Sequence, residues 1–296
     1  MGAPSAAELF ELPVHARAVI ICAEYLGFSH ATTAGVTNAL RSGPLNSARV
    51  MAPAPWVRAA VNLHRGEDTG LSVVLNAHHP ILHCPPITFA PTLLDGTGGL
   101  PATPEELWEH GDLDEVHREV RSQIERSIAW GFDVSHLASH LDIMVKRPEF
   151  FDIFIDAAIE FAVPLSFDPR LNESTIGFPA TKLARDEGIP TPDAVVSLRE
   201  LDINHRSQRD LEIWLDENLG AGITELTMAP GIDTPELHDL FADWEYFVSD
   251  LSLLTTSTNL TQALKKLDIK TKSYRELRDR ARLLGVLPCR KVSALG

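Results

Sequence analysis

The hexapeptide Ser135-His136-Leu137-Ala138-Ser139-His140 decides how the rest of the chain is read. Small and apolar residues alternate in it, Gly131 leads into it, and Arg147-Pro148 follows. That is the pattern of a short strand. In an α/β protein, polar side chains near the carboxyl end of a strand fall where the loops build a site. Two histidines and two serines in six residues are unusual for a buried strand, and Ala138 stands among them with no polar atom.

Strands and helices alternate outward from this segment. The apolar run Ala18 to Ala23 reads as a strand buried on both faces. Residues 48–52 and 71–75 read as the second and third strands, with helices from Thr32 or Thr33 to Arg41 and from Pro55-Trp56. Asn76 to Pro104, rich in Pro, Gly, His and Thr, reads as a long loop over the site. Val116, Val120, Ile124 and Ile128 mark the buried stripe of a helix. Beyond the hexapeptide come a helix over 150–161, strands over 164–167, 194–198 and 223–228, a helix carrying Leu211, Trp214 and Leu215, and closing helices from Asp243, Leu260 and Tyr274. Strand and helix alternate with no linker-like break, which predicts a parallel sheet with helices outside it. No Gly-x-Gly-x-x-Gly follows a strand, so a dinucleotide fold loses its main support. The expected fold is α/β: one distorted (β/α) TIM-like barrel with mainly parallel strands, a single domain over residues 1–296, with 76–104 over its mouth.

Composition narrows the partners. The 44% of hydrophobic residues suits a globular core, and no apolar run is long enough to cross a membrane. A formal charge of −15 argues against nucleic acid and against anionic membrane surfaces. The first eleven residues carry acids and no early basic cluster, unlike a signal peptide. Cys22, Cys84 and Cys289 form neither a disulfide framework nor a zinc pair, and the simplest compartment is a reducing cytoplasm. Cys22, inside an apolar strand, reads as a small core residue.

In a barrel, the residues just past the carboxyl ends of the strands converge. They are Glu24 and Tyr25, Ser72 and Asn76, His136 and His140, Asp168 and Arg170, and the turn from Met228 to Gly231. The loop after the third strand adds His78, His79 and His83.

These residues resemble a known family, the YdjC/ChbG carbohydrate deacetylases, in order over roughly residues 18 to 250. Ile20 to Ser29 is similar to the strand that ends Ala-Asp-Asp-Phe-Gly-hydrophobic-Ser in that family. Arg41 to Met51 followed by Pro55-Trp56 looks like its second strand, and Gly70-Leu71-Ser72-Val73 like its Gly-Leu-His-Leu. The hexapeptide resembles Thr-His-Leu-Asp-Ser-His, Gly188 to Asp193 matches Gly-x-Pro-x-Pro-Asp, and Ala229-Pro230-Gly231 with Thr234-Pro235-Glu236 looks like the His-Pro-Gly and Pro-Glu segments. The resemblance implies a divalent metal held at the positions of Tyr25, Ser72 and His140, and a general base at Glu24. Of the three ligand positions only His140 carries a credible ligand. The family's remaining charged positions fall here on Ala138, Ser166, Ala229 and Phe247.

One histidine does not offset the dehydration of a divalent cation. Without a metal, nothing lowers the pKa of an attacking water or polarises an amide. The expectation is therefore a deacetylase-fold enzyme that uses no metal and no cofactor. It would act by acid/base chemistry (isomerisation, cyclisation or elimination) on a small, less polar organic substrate. Glu24, Tyr25 and His140 are the expected catalytic residues; Ser72, Asn76, His78, His136, Asp168, Met228 and Phe247 are the expected substrate contacts. Each keeps a plainer reading: Glu24 a solvated acid, Tyr25 an aromatic wall, His140 and His136 core histidines, His78 and His79 loop residues. Two other functions stay open. One is a metal-dependent deacetylase rebuilt on Glu24, His78 or His79, and His140. The other is a non-catalytic protein that binds a ligand or partner. The relatives also imply a homodimer.

Overall fold

The computed structural model describes residues 4–77, 79, 82–171 and 173–287. Its strands are β1 (Arg17–Leu26), β2 (Ser47–Val50), β3 (Thr69–Val73), β4 (Val134–Ser139), β5 (Leu165–Ser166), β6 (Ala194–Ser197), β7 (Gly222–Met228) and β8 (Lys270–Thr271). The helices between them are α1 (Ala6–Leu9), α2 (His30–Ser42), α3 (Val57–Leu63), α4 (Pro104–His110), α5 (Leu113–Ala129), α6 (Pro148–Phe161), α7 (Glu173–Ile176), α8 (Ala180–Asp186), α9 (Gln208–Asn218), α10 (Pro235–Leu240), α11 (Trp244–Thr255), α12 (Asn259–Lys266) and α13 (Tyr274–Leu283).

Neighbouring strands run β5-β4-β3-β2-β1-β7-β6, all parallel. The sheet curls until its two ends approach, where the Leu165 amide donates to the Pro190 carbonyl at 3.1 Å just before β6. This is the nearly closed α/β barrel that the alternation of elements predicts. β1 is its centre. Its Ala18 to Ala23 segment is almost wholly buried, as an apolar run between the barrel interior and the outer helices must be. Its second edge is shared: β8 pairs with Ala18 and Val19, and β2 pairs further along, from Cys22 to Leu26. The β1–β2 register slips between Ala23 and Leu26, which bulges the strand at Glu24 and Tyr25.

Two cores lie on the strands. The larger fills the space between sheet and outer helices, with Val116, Val120 and Ile124 of α5 fully buried in it. The smaller closes the amino end of the barrel. There Ala6 and Leu9 of α1 and Tyr274, Leu277 and Ala281 of α13 pack under Ile20 and Ile223.

Residues 82–101 are fastened to the outside of α5. The Glu119 carboxylate accepts from the Ile87 amide (2.9 Å) and the Thr88 amide (2.8 Å), and Glu115 accepts from Thr92 (2.9 Å). The segment ends in α4, whose first residue falls inside the boundary that the sequence predicts for the loop. Thr103 caps this helix in a box with Glu106, with Pro in the first turn. Among the described residues no helix is long and apolar enough to cross a membrane.

Helix α2 lies against the turn that follows β7. A Cβ at Gly35 would sit 2.5 Å from the Pro230 carbonyl oxygen and 2.6 Å from Gly231 Cα, both backbone atoms that cannot swing away. Gly35→Ala is therefore expected to destabilise the fold by about 1–3 kcal/mol through overpacking, despite the better helix propensity of alanine. Urea denaturation of the two chains measures it, and an unchanged or higher midpoint contradicts this packing.

Candidate active site

The site grows from three small residues set in register. Ser72 of β3 pairs with Ala138 of β4, and Ala138 with Ser166 of β5. Residues in register present their side chains to one face, so this row leaves unfilled space at the carboxyl end of the barrel. The space is a cavity of about 300 Å³, at the lower end of small-molecule sites. Glu24, Tyr25, Arg49, Ser72, His140, Asp142, Ser166, Asp168, Arg170, Glu200 and Thr227 are among its walls.

Three non-glycine residues of that wall hold positive φ: Tyr25 (64°), Leu141 (51°) and Asp142 (58°). Such backbone is uncommon outside glycine and persists where surrounding packing enforces it. At Tyr25 the bulge of β1 turns the ring into an aromatic nest. Phe28 and Phe241 lie at 5.6 Å, Phe247 at 5.8 Å and the His140 ring edge-on at 6.3 Å. Burial pushes the Tyr25 phenol well above its ordinary pKa, so it stays protonated.

Beneath the cavity lies a charged hub. Arg49 of β2 points inward and is nearly buried. Its Nη2 donates to the Ser166 hydroxyl at 2.6 Å and to the Glu225 carboxylate of β7, which is fully buried. Its Nε faces His136 Nε2 at 3.4 Å, and its Nη1 faces the Glu24 carboxylate at 3.4 Å. Ser166 and the Tyr274 hydroxyl donate to the other oxygen of Glu225. A guanidinium has five N–H groups. These contacts engage four, and the fourth only at long range, so Nη1 has a hydrogen to offer to a ligand oxygen.

The Glu24 side chain is 40% exposed, into the cavity. Burial of its surroundings raises its pKa above the ordinary carboxylate value, while Arg49 and then Arg199 pull it back. Arg199 lies over the Phe247 ring at 4.2 Å and pairs with Asp243. A cation thus reaches Phe247 from the segment after β6, not from the element around Phe247 on which the family resemblance places one.

The predicted residues divide. Glu24, Tyr25, Ser72, His140 and Asp168 come together around the cavity. His136 does not: it is fully buried below it, stacked on the Tyr274 ring at 3.7 Å and held neutral by burial and by Arg49. Gly70 makes room for that ring, since a Cβ there would meet His136 Nδ1 at 2.2 Å. Met228 also turns away, and its neighbour Thr227 faces the cavity, because successive strand residues point to opposite faces. Phe247 backs Tyr25 without reaching the wall. Asn76 is fully buried outside the wall, its amide without a hydrogen-bond partner among the described residues. His78 lies outside the described residues; His79 sits with its ring 6.3 Å from Phe241. The wall is also charged. Arg49, Asp142 and Glu200 charge it, and they come from positions that a list of strand ends leaves out. Cys22 behaves as the core thiol expected, its pKa pushed up to about 11 by burial.

The class defined by this geometry is a parallel (β/α) barrel with a polar cavity at the carboxyl ends of its strands. A family model described as YdjC-like protein matches residues 18–267, and the chain belongs to that family. It is 30% identical over 231 residues to a carbohydrate deacetylase of Thermus thermophilus, covering 77% of this chain and 82% of that one. It is 24% identical over 267 residues to a carbohydrate deacetylase of Listeria monocytogenes serotype 4a, covering 88% and 99%. A crystal structure from Enterococcus faecalis V583, described as a candidate for cellobiose-phosphate cleavage, superposes with a TM-score of 0.75 over 88% of this chain and 99% of that one. At 21% identity that likeness concerns the fold.

At the three positions where the family resemblance places a divalent metal stand Tyr25, Ser72 and His140. Among the described residues no three His, Cys, Asp or Glu side chains converge to hold an ion. The Arg49 guanidinium lines the same cavity as Glu24, Ser72 and His140.

Removing Arg49 strands a fully buried carboxylate. Arg49→Met is expected to cost about 3–5 kcal/mol of stability, the penalty of a broken buried pair. In the double variant Arg49→Met with Glu225→Leu most of that loss is recovered. A denaturant double-mutant cycle reads the coupling; strictly additive losses would show that the two charges are independent.

Proposed function

We propose that this chain is a deacetylase-fold enzyme that works without a metal, by proton transfer on a small polar organic molecule. The observation that carries the reading is the Arg49–Glu24 pair: a fixed cation with an N–H to spare, beside a carboxylate whose pKa is raised, both open to the cavity. Glu24 is the base. A carboxylate whose pKa is raised by burial accepts a proton more readily than an ordinary one, and Arg49 and then Arg199 oppose that rise. Arg49 Nη1 receives the substrate oxygen on which negative charge develops as the proton leaves. Tyr25, which stays protonated, and His140 line the same cavity and border the bound oxygen. Such a set suits isomerisation, elimination or cyclisation beside a carbonyl group. The charged wall favours a polar substrate, in place of the less polar one expected from sequence.

The names of the curated relatives favour a second reading, removal of an acetyl group from a carbohydrate; the family resemblance adds a bound metal to it. Elemental analysis of protein purified without chelator separates the two. The first reading expects far less than one equivalent of any divalent metal. It also expects turnover unaffected by EDTA when metabolite extracts are incubated with the protein and followed by mass spectrometry. Glu24→Gln is expected to lower that turnover by about 10²–10⁴-fold, the usual worth of a general base. One tightly bound metal per chain, or activity abolished by chelator, would falsify the metal-free reading. Unchanged turnover in Glu24→Gln removes Glu24 from it.

A further inference from the structure

We propose that the carboxyl-terminal unit of β8 and α13 is part of the site's machinery, with Tyr274 as a positioning residue that holds the Arg49 guanidinium beneath the cavity. Both elements lie outside the residues matched by the family model, which end at 267. They reach the hub from the floor of the barrel. The Tyr274 side chain is fully buried, its hydroxyl donates to Glu225, and its ring stacks on His136 with 17° between the planes. Glu225 and His136 are two of the acceptors that hold Arg49. One side chain thus braces two of the contacts that fix the guanidinium.

The unit is anchored where it can do this. The Arg275 amide donates to Asp68 at 2.8 Å, and its guanidinium to the Glu67 carbonyl at 2.7 Å, just before β3. The Arg278 guanidinium grips the Asp133 carboxylate at 2.6 and 2.8 Å and the Val134 carbonyl at 3.0 Å, at the start of β4. β8 pairs with β1 below the bulge that carries Glu24. The hydroxyl is the directional part of the brace. Without it Oε2 of Glu225 keeps only Ser166, and the carboxylate and the guanidinium paired with it can turn together.

The inference rests on Arg49 as the fixed cation of the site, but its test needs no turnover, so it stands or falls apart from the role of Glu24. Nitrogen-15 NMR of the full chain reads hydrogen exchange at Arg49 Nε, assigned by its absence in Arg49→Lys. Tyr274→Phe keeps the stacked ring and removes only the donor. It is expected to speed that exchange about tenfold, the worth of one hydrogen bond to a charged group. Leu277→Ala opens a cavity in the same floor and leaves the hydroxyl in place. It is expected to lower the unfolding midpoint and leave the Arg49 exchange rate near that of the native chain. Unaltered exchange in Tyr274→Phe, or equal acceleration in Leu277→Ala, reduces Tyr274 to packing and overturns the proposal. A reading on the native chain guards against a variant that fails to fold. The Tyr274 hydroxyl proton is expected as a downfield, slowly exchanging signal, and its absence also overturns the proposal.

Discussion

Arg49 and Glu225 face each other inside the barrel, and neither charge is tolerable there alone. Moving either from water into the interior costs several kcal/mol, which mutual attraction and further hydrogen bonds must offset. Both are supplied. Ser166 and Tyr274 complete the carboxylate, and His136 and Glu24 take two further directions of the guanidinium. The pair joins β2 to β7, the strands that flank β1. It braces the central strand from both sides just below its bulge. A buried pair of this kind is weak evidence for stability, since apolar residues of the same size often do as well. Its physical consequence is placement: a permanent positive charge fixed at the bottom of a cavity.

That placement explains how the cavity wall can carry so many acids. Asp168 is paired with Arg170 at 2.9 Å, and Asp142 lies 3.7 Å from Lys146. Glu24 has Arg49 below it and Arg199 to the side. The row Ser72–Ala138–Ser166 contributes by what it lacks. Ser72 and Ser166 line the cavity together with the guanidinium.

Much of the fold was legible because burial on two faces forces apolar runs. Ala18 to Ala23 shows this, and the alternation of strands and helices followed from it. The helix stripe was legible with one error of geometry. Residues four apart drift by about 40° per step on a helix of 3.6 residues per turn, so Val116, Val120 and Ile124 are buried while Ile128 has rotated out to 38% exposure. Of the site, the strand-end residues Glu24, Tyr25, Ser72 and His140 were legible from position alone. The hub was not. Arg49 in Ser-Ala-Arg-Val and Glu225 in Ile-Thr-Glu-Leu read one at a time as surface charges on strands. The signal lay in the pair. An isolated base and an isolated acid, each in the middle of a strand that parallel packing buries on both faces, have no water to reach and need each other. Tyr274 lay further out of sight, because nothing local marks a helix start as the plug of a barrel floor.

A divalent ion and a guanidinium place charge differently, and this bears on what chemistry such a barrel can host. An ion is a point charge with open coordination positions, able to hold a water and a substrate oxygen together and to make the water a nucleophile. A guanidinium is planar, gives hydrogen bonds in fixed directions and activates no water. Here most of those directions are spent on protein groups, and the guanidinium lines the cavity beside a carboxylate. The arrangement can stabilise charge as it builds on a bound oxygen, and the nucleophiles it offers are side chains, the Glu24 carboxylate and the Ser72 and Ser166 hydroxyls. If the proposed proton transfer is the reaction, Glu24 stands beside that charge to take the proton.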